Sequence, residues 1–296
     1  MFKVIEMYFS KRLGLACGIA QAGTGLGQTV MAPVVSFILE RHSLAVVLYF
    51  FAATFSISLP LCFFFKTPDG EPGQAEANRE QTEDHTKRDY AVSVKLLLAV
   101  FTTPAKIILL THVFLLNIGI YAVYTYFPER ALSFGLSQEN ATSLLSIMGF
   151  GNFIARILSG VIIDKFRSQT IPILTSVHLI NGLSILASVF LKSFPAQATV
   201  AAIFGIGFGT KVTCMVVLAG LLDKNIAHLL SAIYLSVGIS SLVGPSVVGF
   251  ILDFTDSFFI SFLVVSVFFI LGGLCLPLAW FLHNRADTDQ EEYTKM

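Results

Sequence analysis

Residues 141–167 read ATSLLSIMGFGNFIARILSGVIIDKFR. From Ala141 to Ile163 the run is apolar apart from small polar side chains and one arginine, and it stops at the charged turn Asp164-Lys165-Phe166-Arg167. A helix rising about 1.5 Å per residue needs roughly 20 such residues to cross a hydrocarbon layer about 30 Å thick. The stretch therefore predicts a membrane-spanning helix ending at a water boundary. Seven other stretches repeat the pattern, at 13–39, 44–65, 107–127, 170–191, 195–222, 226–252 and 257–282. Short polar punctuation, such as Glu40-Arg41-His42, separates most of them. Strands of a closed barrel would instead alternate in segments of about ten residues.

Composition points the same way. The 296 residues are 55% hydrophobic and 13% charged, with a mean hydropathy of +0.77, whereas soluble domains carry about 25% charged residues. A single soluble core of this size could not hide so much apolar surface. The expected class is an all-α integral membrane bundle of eight spans, with the lipid bilayer as its first partner. Net charge is zero and no block of five like charges occurs, so nucleic acid is not an expected partner. Cys17, Cys62, Cys214 and Cys275 stand singly in apolar runs, without CxxC or His/Cys metal spacing, and read as buried thiols. No metal site and no cofactor is expected. Residues 1–12 lead into a run too long for a signal peptide, which reads as an uncleaved helix.

One connection is unlike the others. Residues 66–89 are rich in Glu, Gln, Lys, Gly and Pro, a composition that stays solvated. Residues 90–101 are apolar but interrupted by Lys95, and Pro104 follows. They read as an amphipathic helix on the membrane surface, or alternatively as an extension of the next span. The chain thus divides into 1–65 with two spans, a linker at 66–106, a six-helix unit at 107–282 and a tail at 283–296.

Lysine and arginine set the orientation. With the N-terminus inside, Lys3, Lys11, Arg12, Lys66, Arg79, Lys87, Arg88, Lys95, Lys106, Lys165, Arg167, Lys224, Arg285 and Lys295 are cytoplasmic. Only Arg41, Arg130 and Lys192 fall outside, as the positive-inside rule requires. Both termini are then cytoplasmic. The sequon Asn140-Ala141-Thr142 lies outside but abuts a span.

Two cations remain, Arg156 and Lys211, and both lie within spans. A charge at the bilayer centre costs about 2.5–3.5 kcal/mol on insertion scales, so each should face protein or a watery cavity. Each is either a buried packing residue or part of a small-anion site. Arginine suits a carboxylate because its planar fork donates two parallel hydrogen bonds. Asn152, Arg156, Gly160 and Asp164 recur every four residues, a polar stripe on one helix face that reads as a pathway lining. The repeats Gly14/Gly18/Ala22, Gly23/Gly27 and Ala201/Gly205/Gly209 allow close helix contact. Gly244-Pro245 interrupts the seventh span, as a gating bend or a static kink. Tyr121, Tyr124 and Tyr126 crowd the outer end of the third span, as an interfacial belt or an aromatic gate. The histidines are scattered, no Ser/His/Asp constellation is legible, and nothing argues for an enzyme.

At these residues the chain resembles the monocarboxylate transporter family of the major facilitator superfamily. Tyr8-Phe9-Ser10-Lys11-Arg12-Leu13-Gly14-Leu15-Ala16, then Gly18-Ile19-Ala20, Ala22-Gly23 and Gly27, are similar to the start of the family's helix five. Arg156, Gly160 and Asp164 match the spacing in helix eight, and Asp164-Lys165-Phe166 resembles a cytoplasmic turn of the superfamily. Gly244-Pro245 with Gly249 and Asp253 is like helix eleven. The resemblance covers nearly the whole chain. It implies the C-terminal six-helix half with two helices of the other, the first four being absent. It implies alternating-access transport of monocarboxylates or related organic anions at the cell surface, with substrate near the midplane between two halves. Arg156 would clamp the carboxylate, with Asn152 and Lys211 beside it, and Asp164 and Lys165 would shape the cytoplasmic gate. Proton-coupled members commonly carry Asp where this chain has Asn152, and an amide cannot take up that proton. Some members need a single-span chaperone glycoprotein, which no residue here identifies. The rival expectation is a shortened, non-transporting protein that pairs with a full-length homologue.

Overall fold

The computed structural model describes residues 13–62, 103–222 and 226–295. The expected surface helix at 90–101 and the solvated linker lie outside them. Among the described residues there are eight α-helices and no strands: α1 Leu13–Arg41, α2 Leu44–Cys62, α3 Pro104–Ser133, α4 Gln138–Lys165, α5 Thr170–Ser188, α6 Phe194–Leu222, α7 Ile226–Thr255 and α8 Phe258–Lys295. Apart from α2, each contains a stretch long and apolar enough to cross a membrane. Helix α2, at 19 described residues, reaches about 28 Å at the α-helical rise.

Local chemistry explains several boundaries. Pro104 opens α3, after an extended Thr103. Proline is at home in a first turn because its missing N–H would have no partner there. Ser137 caps α4, its hydroxyl accepting the Asn140 N–H at 3.2 Å. The α3–α4 connection passes through Gly135 at φ +82°, a conformation that glycine adopts without steric cost. Helix α7 runs unbroken through Gly244-Pro245 rather than being interrupted there. Gly244 meets α3, where a Cβ would lie 2.5 Å from the Ile118 carbonyl oxygen.

The helices do not pack in chain order. Helix α4 lies between α1 and α6, α6 meets α5, α5 meets α8, and α8 and α7 flank α3. Two apolar clusters form the core, one around Leu109, Leu174, Leu218 and Leu276 and the other around Phe127, Met148, Phe204 and Phe269. Helix α2 touches little besides α1. Its Leu48, Tyr49 and Phe55 are exposed, as are Leu242, Phe250 and Phe254 on α7. Apolar surface on this scale belongs in lipid or against other helices.

Small residues set how near α4 comes to its neighbours. A Cβ on Gly160 would sit 2.5 Å from the Gly14 carbonyl oxygen, and one on Gly209 would sit 2.5 Å from that of Asn152. Gly18 meets the Arg156 carbonyl and Gly205 that of Met148. Two of the expected small-residue stripes are therefore helix contacts. The Gly23/Gly27 stripe is not, since a Cβ at either position would meet nothing within 4 Å.

Candidate functional site

Between α1, α3, α4 and α6 lies a cavity of about 890 Å³. Its mouth carries Leu39, Glu40 and Gln138, its walls carry Gln28, Tyr121 and Tyr124, and its floor carries Asn152, Arg156 and Phe208. Most of the lining is apolar, with a few polar groups, the composition of a small-molecule site.

Arg156 is 4% exposed. Its Nε donates to Asn152 Oδ1 at 2.7 Å, one turn earlier on α4. Nη1 donates to the Gln21 carbonyl on α1 at 3.1 Å, with Gln21 Oε1 at 3.5 Å. Nη2 makes no hydrogen bond among the described residues, and no described carboxylate pairs with the guanidinium. Phe208 lies under the group, 5.8 Å from ring centroid to Cζ. The result is an oriented cation with one spare donor nitrogen, held over an aromatic face in the wall of a pocket.

The four-residue stripe divides at this point. Asn152 and Arg156 line the cavity, whereas Gly160 and Asp164 pack against α1. The Asp164 carboxylate accepts the Gly14 N–H at 2.9 Å and the Leu15 N–H at 3.0 Å. It meets two backbone donors in the first described turn of α1, where a negative charge also complements the helix dipole. Lys165 takes no part, its Nζ lying 5.4 Å from the Phe166 ring. Asp164→Asn is expected to cost about 1 kcal/mol, because the contact is charge-assisted but exposed. The checks are thermal unfolding of the purified chain and amide exchange. Exchange should quicken at Gly14 and Leu15, and unchanged protection at both would contradict the contact.

Tyr124 reaches across the cavity from α3, its hydroxyl 3.3 Å from Gln28 Oε1 on α1. Its ring meets Phe204 and Phe208 edge-on, at 5.3 and 5.5 Å. Tyr121 also lines the cavity, whereas Tyr126 turns to Gly249 on α7. The three tyrosines thus do not all face the cavity.

Lys211 is not among the cavity-lining residues. It is 3% exposed, and its Nζ donates to Asn117 Oδ1 on α3 at 2.7 Å. Arg130, assigned by its sequence position to an outer segment, is buried at 1% exposure in α3. It donates to the Ser188 hydroxyl at 2.9 Å and to the Ser188 carbonyl, and the Phe134 and Phe262 rings lie 5.0 and 4.3 Å from its Cζ. The histidines are not all scattered either, since the rings of His112 and His178 lie 5.3 Å apart. Gln21 and Gln28 were missed in the sequence. A lone amide in an apolar run gives no signal until its partner on another helix is known.

A sequence model of the Major Facilitator Superfamily matches residues 1–225. The chain belongs to this superfamily. Among curated proteins it is similar to human monocarboxylate transporter 12, 26% identical over 99% of this chain and 61% of that protein. It is also similar to mouse monocarboxylate transporter 12, 24% identical over 92% of this chain and 61% of that protein. Chicken monocarboxylate transporter 4 is 21% identical over 94% of this chain and 58% of its own length. The chain therefore spans about three fifths of the length of these superfamily relatives.

Proposed function

We propose that this chain carries small organic anions, monocarboxylates foremost, across a membrane by alternating access. The observation that supports this best is Arg156, a buried cavity-lining guanidinium with no described carboxylate partner and one nitrogen without a described hydrogen bond. An anion bound there would accept from Nη2, with Asn152 and Gln21 fixing the plane of the fork. The names of the relatives agree with that ligand chemistry. The lysine and arginine distribution supports the orientation with both termini in the cytoplasm and, with the family membership, a place in the cell membrane. Asp164 then ties α4 to α1 at the cytoplasmic end, and the cavity mouth at Glu40 faces outward. In this reading Asp164 holds the inner gate, Tyr124 stands at the outer one, and α7 flexes at Gly244-Pro245 when the two exchange. Lys211 contributes positive potential from behind the cavity wall.

The test is uptake of labelled lactate, pyruvate, a ketone body, an aromatic acid and a neutral control in cells expressing the chain. Surface level is measured in parallel and external pH is varied. Saturable uptake of carboxylates but not of the neutral compound is expected. A surface-expressed chain without uptake would replace this reading with a non-transporting role. Tyr124→Phe keeps the ring contacts and removes one long neutral hydrogen bond, so the uptake KM should rise by no more than about tenfold.

A further inference from the structure

Behind the cavity wall, α3, α5, α6 and α8 enclose a second polar group. His112 is 1% exposed, and its Nδ1 lies 2.6 Å from the Gly272 carbonyl oxygen of α8. A carbonyl can only accept, so Nδ1 carries the hydrogen, and the neutral ring presents Nε2 as a bare acceptor. That Nε2 is buried without a partner. His178, 2% exposed on α5, also has a buried and unpartnered Nε2. Asn181, one turn further on, has an unpartnered Oδ1. Among the described residues, Lys211 is the charge that acts on both rings, and its ammonium spends one of three donors on Asn117.

Unmet buried polar atoms are rare in folded proteins, and several together ask for an explanation. Here two ring nitrogens and an amide oxygen lack partners, and Thr175 Oγ1, one turn before His178, lacks one too. We propose that His112, His178 and Lys211 form a buried site that binds one exchangeable proton, shared between the imidazoles and the lysine amine. In the transfer, the N–H bond at Nζ breaks with its electron pair left on nitrogen. The proton then bonds to the lone pair of an imidazole Nε2, directly or through one water. One positive charge moves and none is created.

The surroundings restrict what else can titrate there. Helix α6 presents Lys211, α8 the Gly272 carbonyl and the backbone of Gly273, and α4 presents Arg156, which bears on Lys211. Among the described residues no titratable side chain of α7 bears on the pair, whereas Tyr234 of α7 bears on Arg156. Because Arg156 acts on Lys211, an anion bound at Arg156 and a proton bound at this site favour each other. That link rests on the reading of Arg156 as the anion clamp. It would let the chain couple a proton to an anion although position 152 is an amide.

The test needs no transport. The chain, labelled with ¹⁵N-histidine and held in lipid nanodiscs, is titrated by NMR, with His42 and His283 as references on other parts of the chain. The His112 and His178 signals should change together in a single transition that takes up one proton. Lys211→Gln should displace that transition while leaving the reference signals unchanged. His178→Phe should abolish the shared behaviour, and if it fails to fold, the Lys211 variant still decides. Independent titration, or two rings that stay neutral wherever the chain is folded, as a bridging water alone would leave them, would overturn the proposal. Adding lactate separates the two readings. A shared transition that lactate does not move supports the proton site and counts against the clamp alone.

Discussion

Replacing Arg156 with lysine lowers the apparent affinity for a carboxylate substrate by about 10- to 100-fold, at unchanged surface level. That range corresponds to losing one charge-assisted hydrogen bond of about 1.5–3 kcal/mol. The guanidinium is held by Nε to Asn152 and by Nη1 to the Gln21 carbonyl, and Nη2 has no described partner. An ammonium is a point charge on a flexible stem and cannot keep this plane. Arg156→Gln should be worse, since it removes the charge and leaves Asn152 Oδ1 and the Gln21 carbonyl short of a donor. The concentration dependence of uptake reads both variants. If Arg156→Lys leaves KM and maximal uptake unchanged, Arg156 is a packing residue and the clamp is elsewhere.

Gly160→Val should unfold or grossly weaken the bundle, by about 3 kcal/mol or more. The added Cβ would lie 2.5 Å from the Gly14 carbonyl oxygen and 3.0 Å from the Leu15 Cα, both backbone atoms that no rotamer change can move. Relief requires α1 to retreat from α4, which also pulls the Asp164 carboxylate away from the Gly14 and Leu15 amides. Gly23→Val is the control, because nothing lies within 4 Å of its added carbon. Thermal unfolding in detergent should separate the two variants widely. Equal stability would mean that α1 and α4 do not meet as described.

That pair of glycines also shows how far the sequence could be read. Gly14/Gly18 and Gly23/Gly27 have the same four-residue spacing, and spacing alone says only that a helix face is smooth. Which face meets a neighbour depends on helix rotation, and this is fixed by long-range packing. The spans themselves were legible because lipid imposes length and apolarity on every helix that crosses it. Arg156 was legible because a charge inside such a run is costly enough to need a reason. Arg130 was not, because a cation near the end of a span reads as a boundary residue until Ser188 and the phenylalanines around it are seen. Gln21 and Gln28, and the pairing of His112 with His178, depend on contacts between helices far apart in the chain. Uncharged amides and isolated histidines leave no periodic trace that would announce such partners.

The most direct test of the central claim is equilibrium binding of a labelled monocarboxylate to the purified chain in nanodiscs, competed with its neutral amide. The account predicts saturable binding that the carboxylate displaces, the amide does not, and Arg156→Lys largely abolishes. Equal displacement by the amide, or undiminished binding in Arg156→Lys, would contradict it.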